Sequence, residues 1–413
     1  MNKKKIFVNT LYNILGSILP IVFLQLIVYP ILSRKLDIST YGKVIALIGF
    51  CMLVIQVSGI GINNARIIMA KEYEDNKLVG DFNLLSIYIM IINVFITVLI
   101  LILVNDRFFS WNNLLALLYI ELGFLNLYLS SEFNISLKFN KILKGNIFLI
   151  VGYLIGLLLF FLFNLWSLIF FMGMSFIVIF DLKNTDYWKT GFQKTPLFKE
   201  SLKKVLVISF SSLMISVVTY ADRLFLYPLL GSSMVAIYYT ASQFGKLISM
   251  GLGPISSVIL SFFSKKNQMS LKHFWQFNSI NFSFCIIFYL ISLFLAKPVI
   301  GILYPTLSNE IVDYMNIANL AAILTGSSSL VQPIILKFCP VKWQMYIQIT
   351  HIICYFSLGI VFTNSWGLLG FCYANVIAAL FRLILLCVVG TITLSKLQSR
   401  IQSERELQDE KIS

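Results

Sequence analysis

The sequence is dominated by long apolar stretches, each about as long as a segment that crosses a lipid bilayer. A transmembrane helix needs about 20 mainly apolar residues, and twelve such stretches follow one another along the chain of 413 residues. They are residues 8–33, 44–65, 82–104, 112–133, 146–163, 165–181, 205–230, 235–263, 276–296, 311–336, 343–362 and 366–394. The apolar block 146–181 is divided at Asn164 because it is too long for one helix. We therefore expect an all-α polytopic membrane protein with about twelve transmembrane helices.

The composition and the N-terminus agree with this expectation. Only 12% of the residues are charged and 58% are hydrophobic, whereas soluble domains carry about 25% charged residues. The N-terminal lysines precede an apolar stretch that is longer than a signal-peptide core and lacks a cleavage site, so it is predicted to be the first membrane helix. None of the six cysteines forms a Cys-x-x-Cys pair, and we expect free thiols with no metal and no disulfide.

The charge of the chain is strongly basic and unevenly distributed. The 32 Lys and Arg residues exceed the 18 Asp and Glu residues, which gives a net charge of +14. No soluble stretch is long enough for a nucleic-acid-binding domain, so anionic membrane lipids and an anionic substrate remain as partners. With the N-terminus in the cytoplasm, 24 basic residues fall in cytoplasmic segments and 5 in outer segments. Because Lys and Arg collect in cytoplasmic loops, both termini are predicted to be cytoplasmic.

The longest predicted cytoplasmic connection divides the twelve spans into two sets of six. The stretches "YPILSRKLDISTY" (29–41) and "YPLLGSSMVAIYY" (227–239) share a Tyr-Pro-aliphatic-Leu motif and a later Tyr at a common offset of 198 residues. They end the first and seventh spans, which indicates a parallel repeat about an axis along the membrane normal. The predicted organisation is an N-terminal six-helix lobe (1–181), a basic linker (182–204), a C-terminal six-helix lobe (205–394) and a cytoplasmic tail (395–413). Two such lobes would enclose a central cavity.

Three cations lie inside the predicted spans of the second half: Arg223, Lys246 and Arg382. Lys246 is eleven residues into its span, about 16 Å along a helix, and hence near the middle of the bilayer. The only acid in the membrane core of that half is Asp222. Because a charge in hydrocarbon is costly and usually functional, we predict that the three cations bind a transported anion and that Asp222 compensates their charge in the empty site. Arg66 is a further candidate near the cytoplasmic entrance.

Uncharged polar residues form stripes with helical spacing, and these stripes would line the cavity. The candidate lining residues are Gln25, Ser216, Thr219, Ser242, Ser249 and Asn375. Stripes of serine and glycine in membrane helices also occur as packing seams that let two backbones approach, and this alternative stays open.

The remaining ionisable residues of the spans have different predicted roles. Glu121 lies well inside the fourth span and is the candidate for binding a coupling proton or sodium ion. Glu132 lies near a cytoplasmic end, where we expect it to be solvated or to reach towards the membrane surface. His351 is expected to be a hydrogen-bonded interior residue rather than part of a proton relay.

Motifs of energy-coupling ATPases and of several enzyme classes are absent. The chain has no GxxxxGK[ST] sequence, no zinc motif and no nucleophile elbow. The longest outer loop, about 297–310, has some fourteen residues, which is short for a membrane enzyme that acts on polysaccharides. We therefore expect a protein that is not an enzyme and that uses no cofactor.

Two stretches resemble a known family. Residues 221–266, "ADRLFLYPLLGSSMVAIYYTASQFGKLISMGLGPISSVILSFFSKK", resemble the start of the second half of polysaccharide flippases, which belong to the multidrug/oligosaccharidyl-lipid/polysaccharide exporter superfamily. The matching residues there are Asp222, Arg223, Tyr238 or Tyr239, Pro254, Lys265 and Lys266. The stretch 29–47, "YPILSRKLDISTYGKVIAL", is similar to the family's first helix end and loop, with matches at Pro30, Leu36, Tyr41 and Gly42. Asp37 stands where the family usually has glycine.

The resemblance implies alternating access between two six-helix lobes, with undecaprenyl-diphosphate-linked oligosaccharide moved from the inner to the outer leaflet of the bacterial cytoplasmic membrane. The product would serve O-antigen or capsule synthesis, and an ion gradient of H⁺ or Na⁺ would drive the transport. The diphosphate would meet Arg223, Lys246 and Arg382, since Arg binds phosphate through its planar fork and Lys as a point charge. A polysaccharide polymerase and a chain-length regulator would be further partners.

Further alternatives stay open at this point. A flippase for the peptidoglycan precursor usually has extra helices, for which the twelve predicted spans leave no room. A drug or cation antiporter of the same superfamily would need an acidic cavity, whereas the cavity charges here are basic. A polysaccharide polymerase or ligase would need a substantial outer loop with paired charges.

Overall fold

The computed structural model describes residues 3–104, 110–186, 189–264 and 268–412, and most of these residues are helical. The helices are α1 (Lys3–Phe23), α2 (Tyr29–Lys35), α3 (Ile38–Asp75), α4 (Asp81–Val104), α5 (Trp111–Ile135), α6 (Phe139–Phe163), α7 (Ser167–Asn184), α8 (Phe198–Leu230), α9 (Ser232–Ala241), α10 (Gln243–Ser264), α11 (Leu271–Leu303), α12 (Val312–Phe338) and α13 (Val341–Ile412). Lys265 and Lys266, the last residues of the stretch 221–266 that resembles polysaccharide flippases, lie outside the described residues.

The helices account for the predicted membrane spans. Within the described residues, ten helices are long and apolar enough to cross a membrane. The last of them contains two helical segments, because Trp366 and Gly367 have non-helical backbone angles. The predicted span 235–263 is not among the ten, and it corresponds to α9 and α10, which are separated at Ser242. Every predicted span therefore has a helical counterpart, and the all-α polytopic class is confirmed.

The connection from α1 to α2 passes through one π turn, Leu24–Val28. In this turn the N–H of Tyr29 donates to the carbonyl of Leu24. Pro30 follows at once, and a proline inside a regular helix clashes with the carbonyl four residues earlier. A widened turn lets the helix continue past the proline, and such turns often occur at functional positions. Gln25 lies in this turn and is buried.

Two helix boundaries have clear local causes. Asn164 adopts a left-handed conformation with φ of 59° directly after α6, and its N–H donates to the carbonyl of Phe160. Asparagine tolerates this conformation better than most residues, so the predicted division of the block 146–181 at Asn164 is confirmed. Asp37 is the N-cap of α3, where its carboxylate accepts the N–H of Thr40 at 3.0 Å. The acid that departs from the family pattern thus serves as a helix cap.

The chain divides into two compact units, Met1–Phe225 and Leu226–Ser413. The division falls within α8, whereas the predicted lobes are separated by the linker 182–204. The reason is that α8 begins in the core of the first unit, where Phe198 and Val205 pack with residues of α3, α4 and α5. The organisation into two six-helix lobes stays a prediction.

Close contacts with α3 also hold α8 in the first unit. A Cβ atom on Gly61 would clash with Oγ of Ser209 and lie 3.2 Å from its Cα. Twelve residues earlier on α3, a Cβ atom on Gly49 would lie 2.8 Å from Cδ of Arg223. The two helices therefore run antiparallel and approach each other closely through glycine.

The linker is tied to α4 by a buried carboxylate. Asp81, which is fully buried, accepts the backbone N–H of Thr195 at 2.7 Å and the hydroxyl of Tyr73 at 2.6 Å. The hydroxyl of Thr195 also donates to Asp81. A carboxylate removed from water needs such donors, and here they come from the linker and α3.

Two further side chains of the first unit hold the linker. The amide of Asn83 donates to the hydroxyl of Thr190 at 2.7 Å and to the carbonyl of Gly191 at 2.8 Å. The carboxylate of Glu132 accepts the N–H of Asp186 at 3.0 Å. These bonds hold the linker residues Asp186, Thr190 and Gly191 in the first unit.

In the second unit, α10 and α12 pack closely along a seam of small and polar residues. The N–H of Gly245 donates to the side-chain carbonyl of Asn319 at 2.7 Å, and a Cβ atom on Gly245 would lie 2.7 Å from the backbone oxygen of Asn319. The hydroxyl of Ser249 donates to the carbonyl of Ala322 at 2.5 Å. These contacts fix the position of α10, the helix that carries Lys246.

Candidate functional site

Arg223 lies in the first unit with its neighbour Asp222. The two side chains are nine-tenths buried, and Nε of Arg223 is 4.0 Å from Oδ1 of Asp222. Asp222 also accepts the backbone N–H of Arg223 at 2.9 Å, and the guanidinium lies 5.6 Å from the centre of the Tyr220 ring. Neighbouring residues of a helix point about 100° apart, yet the long arginine side chain comes within ion-pair range of the acid.

Lys246 lies in the second unit against two aromatic rings. Its Nζ is 5.0 Å from the centre of the Tyr239 ring and 5.5 Å from that of Tyr238. A cation within about 6 Å of an aromatic face is stabilised by the ring quadrupole. Asn375 of α13 donates a hydrogen bond of 2.7 Å to the hydroxyl of Tyr238. Asn375, predicted to line a cavity, is therefore a buried partner of the ring that holds Lys246.

Arg382 lies on α13, seven residues after Asn375, and so shares its helix face. Its Nη2 donates to the side-chain carbonyl of Gln332 on α12 at 2.9 Å, and its Nε has no hydrogen-bond partner among the described residues. His351 is buried and close enough to Arg382 for the two groups to interact electrostatically. The predicted interior position of His351 is correct, although its Nδ1 has no hydrogen-bond partner in the described part of the chain.

Sequence reasoning missed Gln332 and Asp181. Gln332 is one of three amide side chains in the predicted span 311–336, and its contact with Arg382 reveals its role. Asp181 is buried in the first unit and accepts a hydrogen bond of 2.8 Å from Asn126. The sequence feature that could have identified Asp181 is its position at the end of the predicted span 165–181, where an acidic residue is uncommon.

The two first-half candidates have different surroundings. Glu121 is buried, and neither of its carboxylate oxygens has a hydrogen-bond partner within the described ranges. Arg66 pairs with Glu132 at 3.4 Å, donates to Ser131 and lies 5.0 Å from the centre of the Tyr128 ring. Glu132 is therefore an ion-pair partner that also holds the linker, which corrects the expectation of a merely solvated side chain.

Most of the predicted lining residues make packing or backbone contacts. Ser216 is buried, and Thr219 is exposed with its hydroxyl bonded to the carbonyl of Ile215. Ser242 is fully buried and bonds to the carbonyl of Tyr239, while Ser249 lies in the seam between α10 and α12. The contacts of Ser249 are those of a packing seam, the alternative that the sequence left open.

The three predicted cations fall in different units. Arg223 belongs to the first unit, and Lys246 and Arg382 belong to the second. Within the second unit, Tyr238 and Asn375 connect α9 to the helix face that carries Arg382. A cation and polar groups arranged in this way inside apolar helices can bind an anion away from bulk water.

The fold defined by these helices is that of transporters of the MOP superfamily. The chain is similar to the lipid II flippase MurJ in an inward closed conformation, with a TM-score of 0.71, 17% identity, and coverage of 92% of this chain and 85% of that chain. It is also similar to a multidrug resistance MATE family transporter in an inward-facing conformation, with a TM-score of 0.68, 14% identity, and coverage of 94% and 99%. An outward-facing MATE structure matches with a TM-score of 0.64, 16% identity, and coverage of 96% and 97%.

The sequence matches the family model described as polysaccharide biosynthesis protein over residues 3–267. Since this match covers well over half of the chain, the protein belongs to the polysaccharide biosynthesis protein family. The predicted relation to polysaccharide biosynthesis proteins is confirmed, and the fold is similar to that of MATE transporters. No curated protein matches the sequence significantly. The protein is thus a multi-pass membrane protein of the polysaccharide biosynthesis protein family.

Proposed function

We propose that this protein is a flippase that moves an undecaprenyl-diphosphate-linked oligosaccharide from the inner to the outer leaflet of the bacterial cytoplasmic membrane. The oligosaccharide would be a repeat unit of a surface polysaccharide such as O-antigen or capsule. Membership of the polysaccharide biosynthesis protein family supports a lipid-linked sugar as the substrate class.

The observation that carries the proposal is the environment of Arg382. Its guanidinium bonds to the neutral amide of Gln332, and the sequence has no acid between Asp313 and Glu404. Asp313 is at the start of α12, nineteen residues or about 28 Å before Gln332 along the helix axis. A buried cation with an amide partner keeps its charge available, and a diphosphate supplies the anion that would pair with it.

The cations of both units have roles in this proposal. Arg223 and Arg382 would hold phosphate oxygens through the guanidinium fork, and Lys246 would act as a point charge. Asp222 would neutralise Arg223 while the site is empty. Arg66 would act near the cytoplasmic entrance, where Glu132 competes with the substrate for its charge.

Coupling to an ion gradient is assigned to Glu121. A buried carboxylate without hydrogen-bond donors is costly as an anion, so it gains most from binding a proton or a sodium ion. The test compares Glu121→Gln with Glu310→Gln, which changes an exposed acid. We expect only Glu121→Gln to alter the dependence of transport on pH or sodium. Unchanged dependence in Glu121→Gln would remove this assignment.

The experiment that tests the proposed function is a gene deletion with complementation in the native host. We expect lipid-linked repeat units to accumulate on the cytoplasmic leaflet, and the wild-type gene to clear them. Arg382→Ala should fail to clear them and Arg382→Lys should clear them in part, because lysine keeps the charge but loses the fork.

A matched control removes a basic charge outside the site. Lys189→Ala is suitable, since Lys189 is 80% exposed and pairs only locally with Asp186, and we expect it to complement fully. Normal clearance by Arg382→Ala would show that the cation does not act in transport. Single repeat units that reach the outer leaflet but remain unpolymerised would instead indicate a polymerase.

A further inference from the structure

The backbone around Lys246 is fixed by the seam between α10 and α12. Gly245, the preceding residue, donates its N–H to Asn319, and Ser249, one turn later, donates to the carbonyl of Ala322. The N–H of Lys246 itself donates to the carbonyl of Ser242 at the junction of α9 and α10. Lys246 therefore starts from a backbone position that has little freedom to move.

The end of the Lys246 side chain is held by the last turn of α9. The ring centres of Tyr238 and Tyr239 are 5.5 and 5.0 Å from Nζ, and both tyrosines are almost completely buried. Ring faces offset part of the cost of removing the ammonium from water. These two ring contacts fix the place of the ammonium at the end of α9.

The orientation of the Tyr238 ring is set from α13. The side-chain amide of Asn375 donates a hydrogen bond of 2.7 Å to the hydroxyl of Tyr238. The Phe371 ring packs edge-on against the Tyr238 ring, and the two ring centres are 4.9 Å apart. Asn375 is 7% exposed and Phe371 is fully buried. A ring that is bonded at one end and packed at its edge cannot turn without breaking these contacts.

We propose that Tyr238 and Asn375 are positioning residues that hold the Lys246 ammonium in place for the anionic diphosphate of the substrate. This inference rests on the proposed function, and it adds that Tyr238 and Asn375 determine the affinity of the site for the anion. Asn375 acts through Tyr238, and Tyr238 acts through Lys246.

The test uses the full-length protein in vesicles that contain lipid-linked oligosaccharide extracted from the native host. The half-saturating substrate concentration and the maximal rate are measured for Lys246→Ala, Asn375→Ala and Tyr238→Phe. Tyr238→Phe keeps the ring and removes only the hydroxyl that accepts the bond from Asn375. We expect both Asn375→Ala and Tyr238→Phe to raise the half-saturating concentration roughly three- to tenfold, with little change in maximal rate.

A double variant separates positioning from a structural role. In a Lys246→Ala background, Asn375→Ala should not raise the half-saturating substrate concentration further, because the ammonium group that Asn375 positions is gone. A further rise of the same size would overturn the inference. Tyr346→Phe is the matched control, since it removes a tyrosine hydroxyl from a side chain that is 52% exposed, and it should behave like the wild type.

The outcomes also separate this inference from the proposed function. If Lys246→Ala saturates like the wild type, the assignment of Lys246 to the anion site is wrong. If Lys246→Ala is impaired while Asn375→Ala and Tyr238→Phe are normal, the anion site stands and the positioning role is wrong. Melting temperatures in detergent, measured for each variant, confirm that the compared proteins are folded.

Discussion

The carboxylate of Asp81 at the start of α4 accepts the backbone N–H of Thr195, a residue 114 positions later in the linker, over 2.7 Å. The hydroxyl of Thr195 also donates to this carboxylate, so two hydrogen bonds hold Thr195 in the first unit. The linker is therefore anchored at Thr195, shortly before α8 begins.

Replacement of Asp81 should destabilise the protein. Asp81→Ala removes the acceptor of three hydrogen bonds, those from the N–H and the hydroxyl of Thr195 and from the hydroxyl of Tyr73, and we expect a loss of about 2 to 4 kcal/mol. The melting temperature in detergent should fall, and trypsin should cut faster after Lys189 and Lys194 in the released linker. Asp75→Ala, which changes an exposed acid on α3, should have neither effect. Unchanged cleavage in Asp81→Ala would show that other contacts suffice to hold the linker.

The close approach of α3 and α8 predicts a specific cost for a side chain at Gly61. In Gly61→Ala the serine hydroxyl can rotate away, but Cβ and Cα of Ser209 remain 3.0 and 3.2 Å from the new methyl group. We expect a loss of about 1 to 3 kcal/mol from this overpacking. Adding Ser209→Gly should restore part of the loss.

The control for this prediction is a glycine with free space. A Cβ atom on Gly251 of α10 meets nothing within 4 Å, so Gly251→Ala should leave the melting temperature unchanged or raise it slightly. Equal melting temperatures for Gly61→Ala and Gly251→Ala would contradict the close approach of α3 and α8.

A second contact of α3 should affect transport more than stability. In Gly49→Ala the new methyl group would lie 2.8 Å from Cδ of Arg223, and the flexible arginine stem can move to avoid it. We expect a near-normal melting temperature and reduced transport, measured by clearance of lipid-linked repeat units. Combined with Arg223→Ala, the Gly49→Ala change should have no further effect on transport. A further loss would indicate that Gly49 acts independently of Arg223.

The cap of α3 should give the protein a small acid sensitivity. The hydrogen bonds from Thr40 lower the pKa of Asp37 below its usual value of 3.8. A carboxyl whose folded-state pKa is lowered contributes its stability above the unfolded value and loses it as the pH falls through the folded value. Asp37→Asn keeps a cap acceptor without a titrating group, so its melting temperature relative to the wild type should rise as the pH is lowered below 3.8.

Asp37→Ala removes the cap altogether and should cost about 1 kcal/mol at neutral pH. Melting curves of the wild type and both variants between neutral and acidic pH measure the two effects together. The same difference between wild type and Asp37→Asn at every pH would show that the carboxylate does not contribute through its charge.

The predictions from the sequence were most accurate for local properties. The apolar stretches identified a helix for every span, and the division at Asn164 matched the left-handed residue found there. These features depend on the length of an apolar run or on the backbone preference of one residue. The sequence also singled out Arg223, Lys246 and Arg382 as charges inside membrane segments, because a charge among apolar residues is conspicuous in any arrangement of the helices.

Partners across helices were not predictable in the same way. The lining role expected of Asn375 stays a prediction, and its hydrogen bond to Tyr238, 137 residues away, was not foreseen. Ser249 shared the spacing of a lining stripe, yet its hydroxyl meets the backbone of α12. Helical periodicity shows which residues share a face, but it contains no information about which helix that face meets.

The sequence alone determined that this chain is an all-helical membrane protein of the polysaccharide biosynthesis protein family with cations inside its spans. The tertiary structure alone decided that α8 starts in the first unit, that Asp81 binds the linker, and that Lys246 lies on two tyrosine rings. The physical reason is the range of the forces that are involved. The apolar length of a span and the cost of a buried charge belong to short stretches of sequence, whereas hydrogen bonds and ring contacts need atoms within a few ångströms, which only helix packing brings together.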